Sequence, residues 1–270
     1  MDVDLTLPDP TDTAEKIAQF IRTHVDSAGR TRAVVALSGG IDSALTAALA
    51  VQALGPDNVV THTLPDGQIT PQRDIDDAHH MAEFLNVRCR EIAIGAPLAS
   101  LQSTLDASGL AGDADAWGNA KARLRMIVNY LVAHAEDGLV LGTGNKSEIL
   151  VGYYTKYGDA GVDLLPMGKI YKTQVQELAR HLQLPERIID KAPSAGLWEG
   201  QTDEAELGMP YDRLDRALVC LQDRGMSVEE TAKAVGTDQA EVRRIADMIR
   251  ANEHKRAMPP MPNPHSSGQA

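Results

Sequence analysis

The stretch Ala33-Val34-Val35-Ala36-Leu37-Ser38-Gly39-Gly40-Ile41-Asp42-Ser43 decides the fold. Its five apolar residues read as a buried strand, and the glycines that follow turn the chain onto the start of a helix. The first amides of a helix lack intrahelical partners, and the macrodipole adds partial positive charge there. Gly39 and Gly40 let a bulky anion approach the backbone, while Ser38 and Ser43 offer hydroxyl donors, so the segment Ser38, Gly39, Gly40, Ile41, Asp42, Ser43 suits a polyphosphate. Asp42 would repel phosphates unless a hard cation such as Mg²⁺ lay between them. The plainer alternative is a turn capped by Ser38, with Asp42 favourable in the first helical turn. The lysine of Gly-x-x-x-x-Gly-Lys-Ser/Thr and the spacing of Gly-x-Gly-x-x-Gly are both missing.

Outward from this loop, helix and strand signals alternate. Helical spacing over 13–25 precedes the strand; a helix over 44–54, a strand over 59–64, a helix over 75–85 and a strand over 88–94 follow. A long helix over 119–135, with Leu124, Ile127, Val128 and Leu131 inward, leads to a short strand over 138–142. Such alternation predicts an α/β fold: a doubly wound, mostly parallel sheet with helices on both faces and extra C-terminal helices. Right-handed crossovers then bring the loops after Leu37, Leu64 and Leu141 to one edge.

The 270 residues, 43% of them hydrophobic, can bury a full core, and we expect one domain over 1–257 with a proline-rich, flexible tail over 258–270. A net charge of −12 argues against a general nucleic-acid grip. Cys89 and Cys220 stand far apart without metal or disulfide spacing. The N-terminus lacks a secretion signal, and apolar runs fall short of the roughly 20 residues a membrane helix needs, so a cytoplasmic protein without membrane partners is expected.

A second glycine-rich strand exit, Gly142-Thr143-Gly144-Asn145-Lys146-Ser147-Glu148, supplies another carboxylate on the same edge. With Asp42, Glu148 offers two of the oxygen ligands that Mg²⁺ demands, phosphates and waters supplying the rest. The segment Tyr153-Tyr154-Thr155-Lys156-Tyr157-Gly158-Asp159-Ala160-Gly161-Val162-Asp163 reads as a binding loop: tyrosines can stack on heterocycles, Lys156 can neutralise an anion, and glycines permit closure. Two short helices around Gly236, 227–237 and 239–245, look like a helix-turn-helix DNA reader or a plain hairpin. Glu229, Glu230, Asp238 and Glu241 would repel a duplex.

The 38–43 loop resembles the pyrophosphate loop of the N-type ATP pyrophosphatases, which cleave ATP between its α and β phosphates and are Rossmann-like in fold. The ordered set of the two glycine-rich loops, Asn119-Ala120-Lys121-Ala122-Arg123-Leu124-Arg125-Met126, the tyrosine loop, Lys172 in Tyr-Lys-Thr-Gln, Pro193-Ser194-Ala195, Gly200-Gln201-Thr202-Asp203-Glu204 and Glu253-His254-Lys255-Arg256 resembles the ammonia-dependent NAD synthetase family within them. The resemblance implies that Ser38 to Ser43, Thr143, Lys172 and Ser194 hold ATP, and that Asp42 and Glu148 hold Mg²⁺. It also implies that Asn119, Arg123, Lys156, Asp163, His254 and Lys255 face deamido-NAD. A homodimer is implied, with His254 and Lys255 open to assignment to either subunit.

The implied reaction amidates deamido-NAD with ammonia, the last step of NAD biosynthesis, through an acyl-adenylate that releases pyrophosphate and then AMP. Asp42 and Lys172 act at the phosphates, and Asp159 or Asp163 accepts a proton from ammonium. Some positions depart from the common pattern: Ala36 stands where many members have glycine, and Ser194 replaces a frequent threonine while keeping its hydroxyl. The rivals are other N-type pyrophosphatases, GMP- or asparagine-synthetase-like or tRNA-modifying.

Overall fold

The computed structural model describes residues 3–67, 69–194, 196, 198 and 200–262. Helix α1 (Pro10–Ser27), N-capped by the Asp9 carboxylate, leads into β1 (Arg32–Ala36) and α2 (Ile41–Leu54). Strand β2 (Val59–Thr63), α3 (Gln72–Phe84), β3 (Cys89–Glu91), α4 (Gly95–Ala107) and α5 (Ala114–Ala135) follow. After β4 (Gly138–Val140) come α6 (Lys146–Val151), α7 (Lys172–His181) and α8 (Glu186–Ile189). The C-terminal helices are α9 (Asp203–Leu207), α10 (Tyr211–Leu218), continued by a π-helical turn, α11 (Val228–Val235), α12 (Gln239–Ala251) and α13 (Glu253–Arg256).

The four strands form a parallel sheet in the order β3-β2-β1-β4. Because the chain moves from β1 outward to β3 and then returns to the other side of β1, the order reverses between β1 and β4. Such a reversal opens a crevice at the carboxyl ends of the strands. The loops after β1 and β4 flank that crevice, as the sequence pattern predicts.

Alternation along β1 explains why both faces are covered. Ala33 and Val35 join a cluster with α1, α2, α3, α7 and α8, whereas Val34 meets Val132, Ala133 and Val140 beneath α5. Helix α2 is apolar nearly all round, with Leu45 and Leu49 fully buried. Each such leucine contributes roughly 1.5–3 kcal/mol by leaving water. A third cluster of Val151, Tyr171, Leu214, Leu218, Ile245 and Ile249 ties α6, α10 and α12 together beside the sheet.

The α5 face departs from expectation. The helix begins earlier, capped by the Asp113 carboxylate on the Ala116 amide, and turns Gly118, Lys121, Ala122, Val132 and Ala133 inward. Leu124 and Val128 are half-buried, but Ile127 is 50% and Leu131 65% exposed. The buried Lys121 shows why apolar spacing misled: its ammonium pairs with the Asp66 carboxylate at 2.8 Å, so a charged residue occupies the inner stripe. Among the described residues no helix is long and apolar enough to cross a membrane. Residues 258–262 of the expected tail lack secondary structure and are exposed; 263–270 lie outside the described residues.

Candidate active site

Gly40 precedes α2 with no side-chain cap, so the helix opens its first amides to the crevice. Ser43 Oγ accepts from the Ser38 amide at 3.1 Å and donates to Gly40 O at 2.9 Å, and it lies 3.1 Å from Ser38 Oγ. Gly39 has φ +77°, and a Cβ there would overlap the carbonyl oxygen of Asp74, so no other residue fits without moving α3.

Across the crevice, Asn145 caps α6. Its side-chain oxygen accepts from the Glu148 amide, while the Glu148 carboxylate accepts from the Asn145 amide, each at 3.1 Å. The Asn145 side-chain NH₂ then donates to Asp42 at 3.0 Å. One fully buried asparagine therefore bridges the two carboxylates that sequence spacing picked out. The Lys172 ammonium, at the first turn of α7, pairs with the other Asp42 oxygen. Burial and the Asp42 charge push the Glu148 carboxyl well above its usual range. Burial opposes the Lys172 charge, but Asp42 and Glu148 outweigh it and raise the ammonium above its ordinary value.

Lys172 is held from behind. Its amide donates to Ser147 Oγ at 2.9 Å, and Ser147 Oγ donates in turn to the Asp215 carboxylate. Asp215, wholly buried on α10, also accepts from the amide and hydroxyl of Thr173, both at 2.9 Å. Asp203 and Tyr211 complete the surroundings: the Tyr211 hydroxyl donates to Asp203 at 3.1 Å, and Lys172 lies 5.4 Å from the Tyr211 ring centre. Burial pushes the Asp203 carboxyl up. Sequence reading missed the roles of Asn145, Asp203, Tyr211 and Asp215; only Asn145, three residues before a glutamate, carried a readable capping signal.

Thr143 lies on the β4 exit loop beside this group, half-buried. The structure gives Ser194 contacts within its own loop: its hydroxyl donates to Gln201 O at 2.7 Å and accepts from the Gly196 amide. Ala195, quoted beside it, lies outside the described residues.

The tyrosine loop packs onto α5 rather than standing open. A Cβ on Gly158 would lie 2.9 Å from that of Ala122, so this glycine serves close approach, not closure. Thr155 Oγ1 donates to Asn119 at 2.7 Å, and the Asp159 carboxylate accepts from the Thr155 amide at 2.8 Å. Asp159 keeps part of its surface in solvent near Lys255 and Arg125; partial loss of hydration raises its carboxyl despite the Thr155 amide and these cations. Asp163 accepts from the Val140 amide and the Tyr130 hydroxyl, tying the loop to β4 and α5. Of the three tyrosines, Tyr157 is the exposed one, at 53%.

Arg123 Nε donates to Lys156 O, and the Lys156 ammonium donates to His254 O at 2.6 Å. Lys255 donates to Gly152 O and Tyr154 O, at 2.6 and 2.9 Å, and Arg256 donates to Leu150 O. The 253–256 segment is thus stapled to the tyrosine loop of its own chain. The suspected helix-turn-helix, α11 and α12, buries Val242, Ile245 and Ile249 beside α10 and α6 and so acts as a packed hairpin.

Residues 13–259 match the family described as NAD synthase. The NH(3)-dependent NAD(+) synthetase of Hyperthermus butylicus is 49% identical over 93% of this chain and 90% of its own. The structure of an NMN synthetase from Francisella tularensis superposes with a TM-score of 0.82 at 34% identity, covering 94% of this chain and 99% of that one. An NH3-dependent NAD synthetase from Campylobacter jejuni gives 0.80 at 30% identity, covering 94% and 100%. The chain therefore belongs to the NAD synthase family, ATP-using ligases of the final step of NAD biosynthesis.

Proposed function

We propose that this chain joins ammonia to deamido-NAD at the β1/β4 crevice, cleaving ATP to AMP and pyrophosphate. The observation that carries the reading is the meeting of an uncapped α2 N-terminus with Asp42, Glu148 and Lys172 from three separate segments. The nicotinate carboxylate attacks the α phosphorus, the bond to the bridging oxygen breaks, and pyrophosphate leaves. The lone pair of ammonia then attacks the acyl carbon, and AMP departs with the former carboxylate oxygen.

The chain's own groups position and neutralise. The amides of α2 with Ser38 and Ser43 receive the departing pyrophosphate, Lys172 offsets its charge, and Thr143 and Ser194 complete the ATP site. Arg123 and Lys156 present positive charge to deamido-NAD. Asn119 and Asp163 act there by holding the tyrosine loop, and His254 and Lys255 by closing it. Asp159 accepts the proton from ammonium; its raised carboxyl is a stronger base than an ordinary aspartate.

The donor set fits Mg²⁺. Two carboxylates held by one asparagine, with Glu148 raised by burial and then by the Asp42 charge, are the hard oxygen ligands this ion takes. Among the described residues no third acidic or histidine ligand joins them, which leaves phosphate oxygens and waters to fill the shell. Asp42 and Glu148 would hold the ion, which when bound supplies charge neutralisation on the phosphates.

Purified protein given Mg-ATP, ammonium and deamido-NAD should yield NAD, AMP and pyrophosphate; ADP would contradict the proposed cleavage. Glutamine in place of ammonium should support no comparable turnover. Because one similar structure is an NMN synthetase, nicotinate mononucleotide is the competing acceptor, and the ratio of the two kcat/KM values decides between them.

A further inference from the structure

We propose that Lys191 is a positioning residue for the phosphate loop, setting the orientation of its Gly39–Gly40 peptide; this rests on the reading of residues 38–43 as the ATP phosphate site. Lys191 follows α8 and is mostly enclosed, its side chain 17% exposed. Its ammonium donates to Gly39 O at 2.9 Å and pairs with Asp74 at 2.6 Å and Asp77 at 2.7 Å. Both aspartates stand on the first turns of α3, and Arg187 pairs with Asp77 from the other side. The ammonium thus donates to the loop backbone at Gly39 O and to the Asp77 carboxylate, with the Asp74 carboxylate beside it as an ion-pair partner.

A peptide unit is planar, so its carbonyl and its N–H point opposite ways. Holding Gly39 O on Lys191 therefore fixes the Gly40 N–H on the other side, where it donates to Ser38 Oγ at 3.3 Å. A Gly-Gly peptide has the least steric resistance to flipping, and in the flipped state it would aim a carbonyl oxygen at an incoming phosphate. Lys191 removes that alternative without touching the nucleotide. Its neighbours in sequence run into the segment that carries Ser194, so the clamp also anchors one end of that segment to the loop.

The experiment measures binding of a non-hydrolysable ATP analogue by calorimetry, the KM of each substrate, and inhibition by pyrophosphate. In Lys191→Met, analogue affinity and pyrophosphate inhibition should each weaken about tenfold, while the KM for deamido-NAD stays within about twofold of the parent. A folded variant with parent-like analogue affinity, or with equal losses for both substrates, overturns the proposal. If Lys191→Met does not fold, Lys191→Arg serves: it keeps the charge, but its planar fork cannot place one nitrogen on Gly39 O, Asp77 and Asp74 together. Weakened analogue binding at an unchanged melting temperature then supports the role, and parent-like binding overturns it. A parent protein that binds neither the analogue nor pyrophosphate would instead refute the phosphate-loop reading itself.

Discussion

Asn145 shows how little separates a helix cap from catalytic apparatus. Its capping box with Glu148 is ordinary local chemistry, yet the same residue holds the Glu148 carboxylate through its backbone amide and Asp42, 103 positions away in sequence, through its side-chain NH₂. Replacing either acid by its amide keeps shape and removes charge. Asp42→Asn and Glu148→Gln should each lower pyrophosphate release by on the order of 10²–10³, and Mg²⁺ should raise the melting temperature of the parent more than that of either variant. Normal turnover in both would end the shared-metal assignment. Asp77 offers a test in pH. Burial alone would raise its carboxyl, but Lys191 and Arg187 outweigh burial and hold it below its usual value. A depressed carboxylate stabilises the fold above its unfolded pKa of about 3.9 and loses that contribution as pH falls through the folded value. Asp77→Asn should therefore cost roughly 1–3 kcal/mol near pH 7, with the gap closing as melts are repeated down through pH 4 and below. A gap constant with pH would remove the charge explanation.

The helices, not the loops alone, aim these side chains. Asp215 on α10 accepts from Ser147 on α6 and from Thr173 on α7, so one buried carboxylate sets the start of the helix bearing Glu148 against the start of that bearing Lys172. Asparagine supplies a single side-chain acceptor, so Asp215→Asn strands at least one buried donor. Denaturant unfolding should show a loss of about 1–3 kcal/mol, and kcat should fall with little change in the KM for deamido-NAD; a folded variant with parental kcat would make Asp215 purely structural. This link also marks the limit of the sequence. The two glycine-rich strand exits were legible because a buried strand, glycines and a helix start follow one another within a few residues. Lys172, Ser194 and His254 were reachable only through the ordered resemblance. Asp215 was invisible, since an acid inside the Tyr211–Leu218 helix reads as surface charge until the fold wraps α6 and α7 around it. The inner stripe of α5 was misread for the converse reason: Lys121 is buried by an ion pair that no periodicity reveals.

Two features of the whole molecule bear on its assembly. The first is that Arg123, Lys156 and His254 are linked within one chain, so the tyrosine loop and the C-terminal segment already converge without a partner. Mixing a Lys156→Ala protomer with a His254→Ala, Lys255→Ala protomer should accordingly restore no activity, because every site in such a heterodimer carries one lesion. Recovery of activity in a verified heterodimer would show that a partner subunit supplies the segment. The second is the outer face of α5, where Ile127, Tyr130 and Leu131 are 50%, 37% and 65% exposed at positions i, i+3 and i+4, which share one side of a helix. This chain carries a net charge of −12 that opposes association of copies, so in the homodimer that the family resemblance implies we propose that this apolar strip is what the two copies bury. The inner stripe of the same helix packs independently on β1 and β4, so the outer residues can be changed without disturbing the sheet. Ile127→Glu with Leu131→Glu should convert a dimer into a folded monomer in sedimentation velocity, with a melting profile little altered after allowing for lost association. A parent that sediments as a monomer, or a doubly substituted chain that stays dimeric, would place the assembly surface elsewhere.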